Sequence, residues 1–342
     1  MPVTVRSFAK INLGLAIGAL RPDGFHGLRT VYHTIALHDV LRIAVVRGTG
    51  IEIEIRCRDP RVPKDESNTC YGITERAMAA LKSRGRVIIE IEKRLPVQGG
   101  LGGASANAVA TLLALERCLK KAIPLAEKLR IAAEVGSDPP LFLIGGAVLG
   151  VGRGEEVYPL PDLPAAACVV AMPDIAVSTP KAFADWDRVV DATRARVGTV
   201  AAARRAQPDG PRKLTAPPPF DRMNEFNRRF SAWLSAAAGV PVNQRGGRAE
   251  TPLLDLVHTG IENDFERVVF PQYPALRELK QALLRAGAVY ASLSGSGSAV
   301  YGLFRARRAA QLAAAHLRKQ GTRAAVTAIL GRRQYWQKIF DC

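Results

Sequence analysis

Residues 51–57 read Ile-Glu-Ile-Glu-Ile-Arg-Cys, an alternation of apolar and charged positions that predicts a half-exposed strand. Residues 3–9 and 12–18 are apolar and β-like, and read as two strands with the polar Lys10 between them. Residues 40–46 and 86–92 continue the strand pattern. Helical spacing is clearest at 68–83, where Ile73, Ala77, Ala80 and Leu81 share a face. Further helices are expected over 107–119 and 124–135, and short apolar strands at 147–151 and 168–172. Near the C-terminus, a helix at 276–286 ends at Gly287, a natural C-cap. Strands at 290–293 and 299–304 flank the turn at 294–298; a helix at 307–320 stops at Gly321, and a last strand covers 324–330. That order suits an antiparallel or mixed sheet covered on one face, within an α+β chain in two halves. The halves are expected to be residues 1–162 and 163–342.

One stretch breaks the pattern. From about 185 to 260 the chain is rich in Pro, Arg and Gly, including Pro217-Pro218-Pro219 and Arg245-Gly246-Gly247-Arg248. A helix is expected at 225–238 and loop elsewhere, with Arg204, Arg205, Arg212 and Lys213 forming the main basic concentration in a solvated loop.

Composition narrows the class of protein. A chain of 342 residues, 48% of them hydrophobic, buries a substantial core and has room for two domains. No apolar run is long enough to span a bilayer and the N-terminus has no signal-type apolar region, so no membrane partner is expected. The five cysteines (Cys57, Cys70, Cys118, Cys168, Cys342) are odd in number and lack metal-type spacing, which fits a reduced, cytoplasmic protein. The net charge of +17 is spread along the chain without a basic-aromatic stacking module, so it points less to nucleic acid than to a field attracting small polyanions.

Residues 95–107, Leu-Pro-Val-Gln-Gly-Gly-Leu-Gly-Gly-Ala-Ser-Ala-Asn, form a glycine-rich turn between a strand and a helix. Such a turn offers free N–H groups and the positive end of a helix to an anion. It is not a Walker loop, since no Gly-Lys-Ser/Thr occurs, nor does its spacing fit a dinucleotide fingerprint. Three other pieces invite assembly with it: Ala9-Lys10-Ile11-Asn12, Gly136-Ser137-Asp138-Pro139-Pro140, and the turn Ser294-Gly295-Ser296-Gly297-Ser298. Each alone has a plain structural explanation, namely a lysine snorkelling from a strand, an Asp-Pro turn and a hairpin connection. Their conjunction carries the functional reading.

In that order, Ala-Lys-Ile-Asn, Pro-x-x-x-Gly-Leu-Gly-Gly and Leu-Ser-Gly-Ser-Gly, the chain resembles the GHMP small-molecule kinases. Arg21-Pro22-Asp23-Gly24-Phe25-His26-Gly27-Leu28, Lys93-Arg94-Leu95-Pro96, Gly136-Ser137-Asp138, Thr179-Pro180 and Asn263-Asp264 are similar to the branch acting on a cytidine diphosphate-linked methylerythritol. The resemblance covers nearly the whole chain except 185–260. It implies a two-domain fold, with an N-terminal ATP-binding half resembling a ribosomal-protein domain, a ferredoxin-like C-terminal half, and the active site between them. It further implies ATP-dependent phosphorylation of the substrate's 2-hydroxyl, feeding non-mevalonate isoprenoid synthesis.

By that resemblance Lys10 and Asp138 are the catalytic pair. Val97, Gln98, Gly99, Gly100, Leu101, Gly102, Gly103, Ala104, Ser105, Ala106 and Asn107 wrap the ATP phosphates, and Asn68 lies near the adenosine. Asn12 and Thr179 sit beside the reacting end of the substrate, Phe25 and His26 stack on and hydrogen-bond the cytosine, and Lys93 contacts the cytidine. Mg²⁺ would bridge ATP oxygens without a dedicated carboxylate cage, and the protein would act as a monomer or weak homodimer. Gln98, Ala104 and Ala106 depart from the Gly, Gly and Ser common in this loop, Phe25 stands for the usual Tyr, and Pro139 for an aliphatic residue. The competing expectations are a homoserine- or mevalonate-type kinase, a non-catalytic metabolite-binding relative, and a basic nucleic-acid binder.

Overall fold

A long antiparallel ribbon organises the first half of the molecule: β1 (Val3–Leu20) pairs with β2 (His26–Val46) over most of its length. The computed structural model describes residues 1–205, 222–237 and 261–340. Lys10 does not divide β1, as the sequence pattern suggested. Its neighbours Ala9 and Ile11 are fully buried, and its backbone N–H donates to Leu101, so the strand runs through. Residues 26–39 were not anticipated as strand because both faces of that stretch are largely covered, which removes the alternation that marks a half-exposed strand.

The free edge of β2 is shared by two partners. Val40–Val46 pairs with β4 (Gly85–Glu92), and Thr30–His33 with β5 (Ala147–Val151), which is bordered by β6 (Glu156–Pro159). β3 (Ile51–Cys57) is parallel to β4, and α1 (Thr69–Ala80) lies in the crossover between them. α2 (Gly103–Leu119) packs into the core behind the sheet through Ala106, Val109, Ala110, Leu112 and Leu113, the alanines letting the helix approach closely while the larger side chains fill the space between. It begins at Gly103, earlier than the expected 107, because Gly102 in the left-handed conformation serves as its N-cap. α3 (Leu125–Val135) and the short α4 (Pro139–Ile144) complete this layer.

The second sheet holds β7 (Ala167–Met172), β8 (Tyr290–Leu293), β9 (Val300–Phe304) and β10 (Arg323–Ala328) in the order β10-β7-β9-β8, all antiparallel. This resolves the expectation of an antiparallel or mixed sheet. Leu276 and Leu283, Ala313, Ala314 and Leu317 join a core with Val169, Ala171 and Val300 of the sheet.

Long helices enter the stretch expected to be mainly loop. α5 (Thr179–Arg205) carries helix through residues 185–205. It is anchored by Ala182 and Trp186 in the core with Phe265 and Val268, and beyond Pro180 it contains no proline to stop it. α6 (Arg222–Ala237) agrees with the expected 225–238, and Phe226, Phe230 and Trp233 join a core with Ile11 and Leu13 of β1. Arg204 and Arg205 therefore lie in helix rather than loop, whereas Arg212, Lys213 and residues 217–219 and 245–248 fall outside the described residues.

α7 (Glu266–Gln272), α8 (Pro274–Arg285) and α9 (Arg307–Lys319) accompany the second sheet. α10 (Arg332–Lys338) returns to the first half: the buried Tyr335 hydroxyl donates to the Phe142 carbonyl at 2.7 Å, and Trp336 donates to Ile144. Among the described residues no helix is long and apolar enough to cross a membrane.

Candidate active site

The glycine-rich segment and the turn at 294–298 are packed backbone to backbone. Ala299 N–H donates to the Gly99 carbonyl at 3.2 Å, and Ser294 Oγ donates to the Gly100 carbonyl at 2.9 Å. At Gly100 (φ +72°) a Cβ would lie 2.0 Å from the Ser294 carbonyl oxygen, and at Gly102 (φ +69°) 3.0 Å from Lys10 Cγ. Both positions therefore demand glycine twice over, for conformation and for space. Gln98 also occupies the left-handed region at φ +59°, so its side chain stands where glycine is easier by about 1–2 kcal/mol. Ala104 and Ala106 are free of such strain because they lie in the first turns of α2. Ala106 is turned into the core rather than toward the loop cavity. Ser105 is inside the helix rather than its cap.

Lys10 and Asp138 meet beside this loop, with Nζ 3.3 Å from Oδ2. The Lys10 side chain is 4% exposed and that of Asp138 28%, so the cation is sheltered while the carboxylate reaches the cavity. Lys10 Nζ also donates to Asn12 Oδ1 at 2.8 Å. Asn12 Nδ2 donates in turn to Thr30 Oγ1, and Thr30 Oγ1 to the Gly14 carbonyl. The spacing of two along β1 and β2 places these groups on one face. A Cβ on Gly295 would come within 3.4 Å of both Lys10 Nζ and Asn12 Oδ1, which puts the second turn against the same pair. Thr179 Oγ1, at the start of α5, lies 2.6 Å from Ser296 Oγ.

A cavity of about 700 Å³ opens from Lys10 and Asp138 toward Phe25 and His26. Phe25 is half exposed, with the Arg153 guanidinium 4.9 Å from its ring centroid. His26 is buried and stacks on Phe183 of α5 (centroids 5.1 Å, planes within 4°). Its Nδ1 lies 3.1 Å from the Gly18 carbonyl, and its Nε2 3.3 Å from Asp187 Oδ1. The hairpin tip is held by Asp23, whose carboxyl is kept below its ordinary range by the Phe25 backbone N–H first and by Arg21 as well.

A second cavity, of about 330 Å³, lies on the other side of the loop, lined by residues 97–105, Asn107 and Asn68. Asn68 is engaged locally: Oδ1 caps α1 by accepting from Cys70 N–H, and Nδ2 donates to the Pro63 carbonyl. Asn107 Nδ2 donates to the buried Asp39.

Lys93 departs from its expected place. It lines this second cavity, away from Phe25 and His26, and its Nζ is 2.6 Å from Asp39 Oδ2. The physical reason is Asp39, fully buried, which takes Lys93 as its cation and also accepts from the N–H groups of Arg94 and Leu95.

The remaining expected residues, Lys10, Asn12, Phe25, His26, Asp138 and Thr179, share the larger cavity. Tyr32, Arg153, Phe183 and Asp187 were not anticipated. No motif marks them, because they come from three separate segments, β2, the β5–β6 turn and α5, brought together only by folding. Asn263 was noted only as part of a motif. Its Nδ2 donates to the Leu293 and Gly295 carbonyls, so it shapes the second turn.

Residues 68–146 match the family model of the GHMP kinases N-terminal domain, and residues 250–323 that of the GHMP kinases C-terminal domain. The chain is 37% identical over 309 residues to 4-diphosphocytidyl-2-C-methyl-D-erythritol kinase of Solibacter usitatus, covering 89% of this chain and 82% of the relative. The enzyme of that name from Acaryochloris marina is 32% identical, over 92% of this chain and 91% of its own. Among solved structures, a 4-(cytidine 5'-diphospho)-2C-methyl-D-erythritol kinase is 28% identical with a TM-score of 0.66, covering 96% of this chain and all of its own. Homoserine kinase from Cytophaga hutchinsonii, 20% identical with a TM-score of 0.68 over 98% of this chain and 96% of its own, shares the fold. With its sequence motifs, two-sheet fold and relatives in agreement, the chain belongs to the 4-diphosphocytidyl-2-C-methyl-D-erythritol kinase family of the GHMP kinases.

Proposed function

We propose that this chain transfers the γ-phosphoryl group of ATP to the 2-hydroxyl of 4-diphosphocytidyl-2-C-methyl-D-erythritol. The observation that carries the reading is the junction of the two cavities: Gly100, Gly102 and Ser105 line both, and Lys10 and Asp138 stand beside them. A donor nucleotide on the loop side and an acceptor alcohol on the Phe25–His26 side would meet at these residues.

In this reading the N-terminus of α2 and the loop N–H groups hold the polyphosphate of ATP. Asp138 accepts the proton of the substrate hydroxyl as its oxygen bonds to the γ-phosphorus. The bond from phosphorus to the bridging oxygen breaks, and ADP leaves. General-base assistance of this kind contributes about 10²–10⁴-fold. Lys10 faces the charge on the transferring group. Asn12 and Thr179 orient the alcohol, while Phe25 and His26 recognise the cytosine. Asn68 and the loop residues form the nucleotide side, where Lys93 also belongs. Among the described residues no group of three His, Cys, Asp or Glu side chains is arranged to hold a metal ion. Mg²⁺ would come with ATP as a counter-ion to its phosphates and ease the charge on the transferring group. The reading keeps a division into halves at 162/163, supported by the gap between β6 and β7 that separates the two sheets, with α10 packing back on the first. In this reading the enzyme is cytoplasmic and works as a monomer or weak homodimer; the four cysteines among the described residues form no disulfide, which supports a reducing compartment.

The test is ATP-dependent phosphorylation by the purified protein of 4-diphosphocytidyl-2-C-methyl-D-erythritol, mevalonate and homoserine in parallel. Selective formation of the 2-phosphate is expected. Transfer only to another alcohol would keep the Lys10–Asp138 chemistry and overturn the cytidine assignment; salt-sensitive nucleic-acid binding without any transfer would overturn both.

A further inference from the structure

Asp138 is placed where its own backbone does nothing to aim its side chain. It precedes the first residue of the short α4 (φ −82°, ψ −26°), and its carboxylate makes no capping hydrogen bond to that helix. Two side chains hold it instead: Lys10 on Oδ2 at 3.3 Å, and the Tyr32 hydroxyl, which donates to Oδ1 at 3.1 Å. Tyr32 is opposite Asn12 in the β1–β2 register, and its ring centroid is 5.4 Å from Lys10 Nζ. One aromatic side chain thus touches both members of the candidate pair.

The ring itself has no freedom to wander. Tyr32 is 2% exposed. A Cβ on Gly150 would lie 2.5 Å from Tyr32 Cε2, and one on Gly154 2.6 Å from its hydroxyl oxygen, so the slot accepts the phenol because both neighbours are glycine. Burial above all, and then the adjacent Asp138, hold the phenol far above its ordinary range, so it stays a donor.

Resting on the functional reading above, we propose that Tyr32 is a positioning residue for phosphoryl transfer: its hydroxyl fixes the Asp138 carboxylate toward the acceptor alcohol while Lys10 holds the other oxygen. A base must stand within hydrogen-bond reach of the proton it takes, and loss of alignment lowers turnover without loosening substrates. Tyr32 keeps its own proton throughout; the substrate proton goes to Asp138.

The experiment is a double-mutant cycle of Tyr32→Phe with Asp138→Asn, read by kcat, both KM values and thermal stability. Tyr32→Phe keeps the ring and removes one hydrogen bond to a charged group, so kcat should fall roughly 5–30-fold with both KM values and the melting temperature unchanged. In the Asp138→Asn background the same change should cost nothing more, since the group being aimed is gone. Wild-type kcat in Tyr32→Phe, a loss seen only in KM, or additive losses across the cycle would each overturn the proposal. Asp138→Asn at full turnover would refute the base assignment and this role with it; an inactive Asp138→Asn beside an unimpaired Tyr32→Phe would refute this role alone. Should Tyr32→Phe lose stability, its kcat is read at a temperature where circular dichroism shows it fully folded, and a wild-type kcat there overturns the proposal.

Discussion

The two walls of the candidate site are made of different material. On the loop wall, residues 95–107 and 294–298 contact each other mainly through backbone atoms and are shaped by glycine; the Gly100 amide lies so close to Gly297 that a Cβ there would come within 2.2 Å. On the other wall, Phe25, His26, Phe183, Arg153 and Asp187 meet through side chains that reach across from β2, α5 and the loops. A backbone-built wall offers the same N–H groups whatever alcohol is phosphorylated, which suits a nucleotide common to many reactions. A wall of side chains can be exchanged piece by piece, which suits the part of the site that distinguishes one acceptor from another.

That contrast can be broken experimentally, beginning at the junction of the walls. Asp138→Asn should lower kcat by about 10²–10⁴-fold while leaving the KM for ATP unchanged, as measured by steady-state kinetics. Damage to ATP binding instead would make Asp138 part of the loop wall. Gly100→Ala comes next, because a left-handed conformation and overlap with the Ser294 carbonyl together cost on the order of 3 kcal/mol. A lower melting temperature and a raised KM for ATP are expected; an indifferent variant would show that the seam between the two turns is not rigid.

The scaffold beneath both walls should answer to pH. His33 is fully buried on β2, and burial pushes its imidazole down to about 4. Its Nδ1 faces the Thr34 carbonyl and its Nε2 faces the Leu163 N–H, an arrangement that suits the neutral ring. The unfolded chain takes up this proton below about 6.5 and the folded one only near 4, so stability is complete above the upper value and falls as pH drops between them. The loss amounts to roughly 3 kcal/mol, to be followed by denaturant midpoints from neutral to acid pH, and His33→Gln should flatten that slope. The smallest effect belongs to the acceptor wall. Phe25→Ala, at a half-exposed position, should raise the KM for the cytidine substrate roughly tenfold and leave the KM for ATP and the stability unchanged. Equal changes in both KM values would erase the division between the walls.

The glycine segment was legible because its requirement is local: a chain must turn sharply between strand and helix, and only certain residues do that. The apolar–charged alternation of β3 and the face of α1 were legible for the same kind of reason. Residues 26–39 hid their strand character because burial on both sides erased the alternation, and α5 hid behind the Pro- and Gly-rich composition of the stretch it enters. Lys93 lines the loop-side cavity rather than the one holding Phe25 and His26, a placement nothing near it in sequence announces, since its partner Asp39 lies 54 positions earlier.

The sequence by itself determined the α+β class, the glycine loop and the candidate pair Lys10 and Asp138, since these rest on short-range spacing and on chemistry carried by single residues. Only the tertiary structure decided that the Tyr32 hydroxyl meets Asp138 106 positions away, that Phe183 stacks on His26, and that the two cavities share Gly100, Gly102 and Ser105. Such contacts join distant segments across strand register and helix packing, and strand register is set by which faces are buried together rather than by any neighbouring residue.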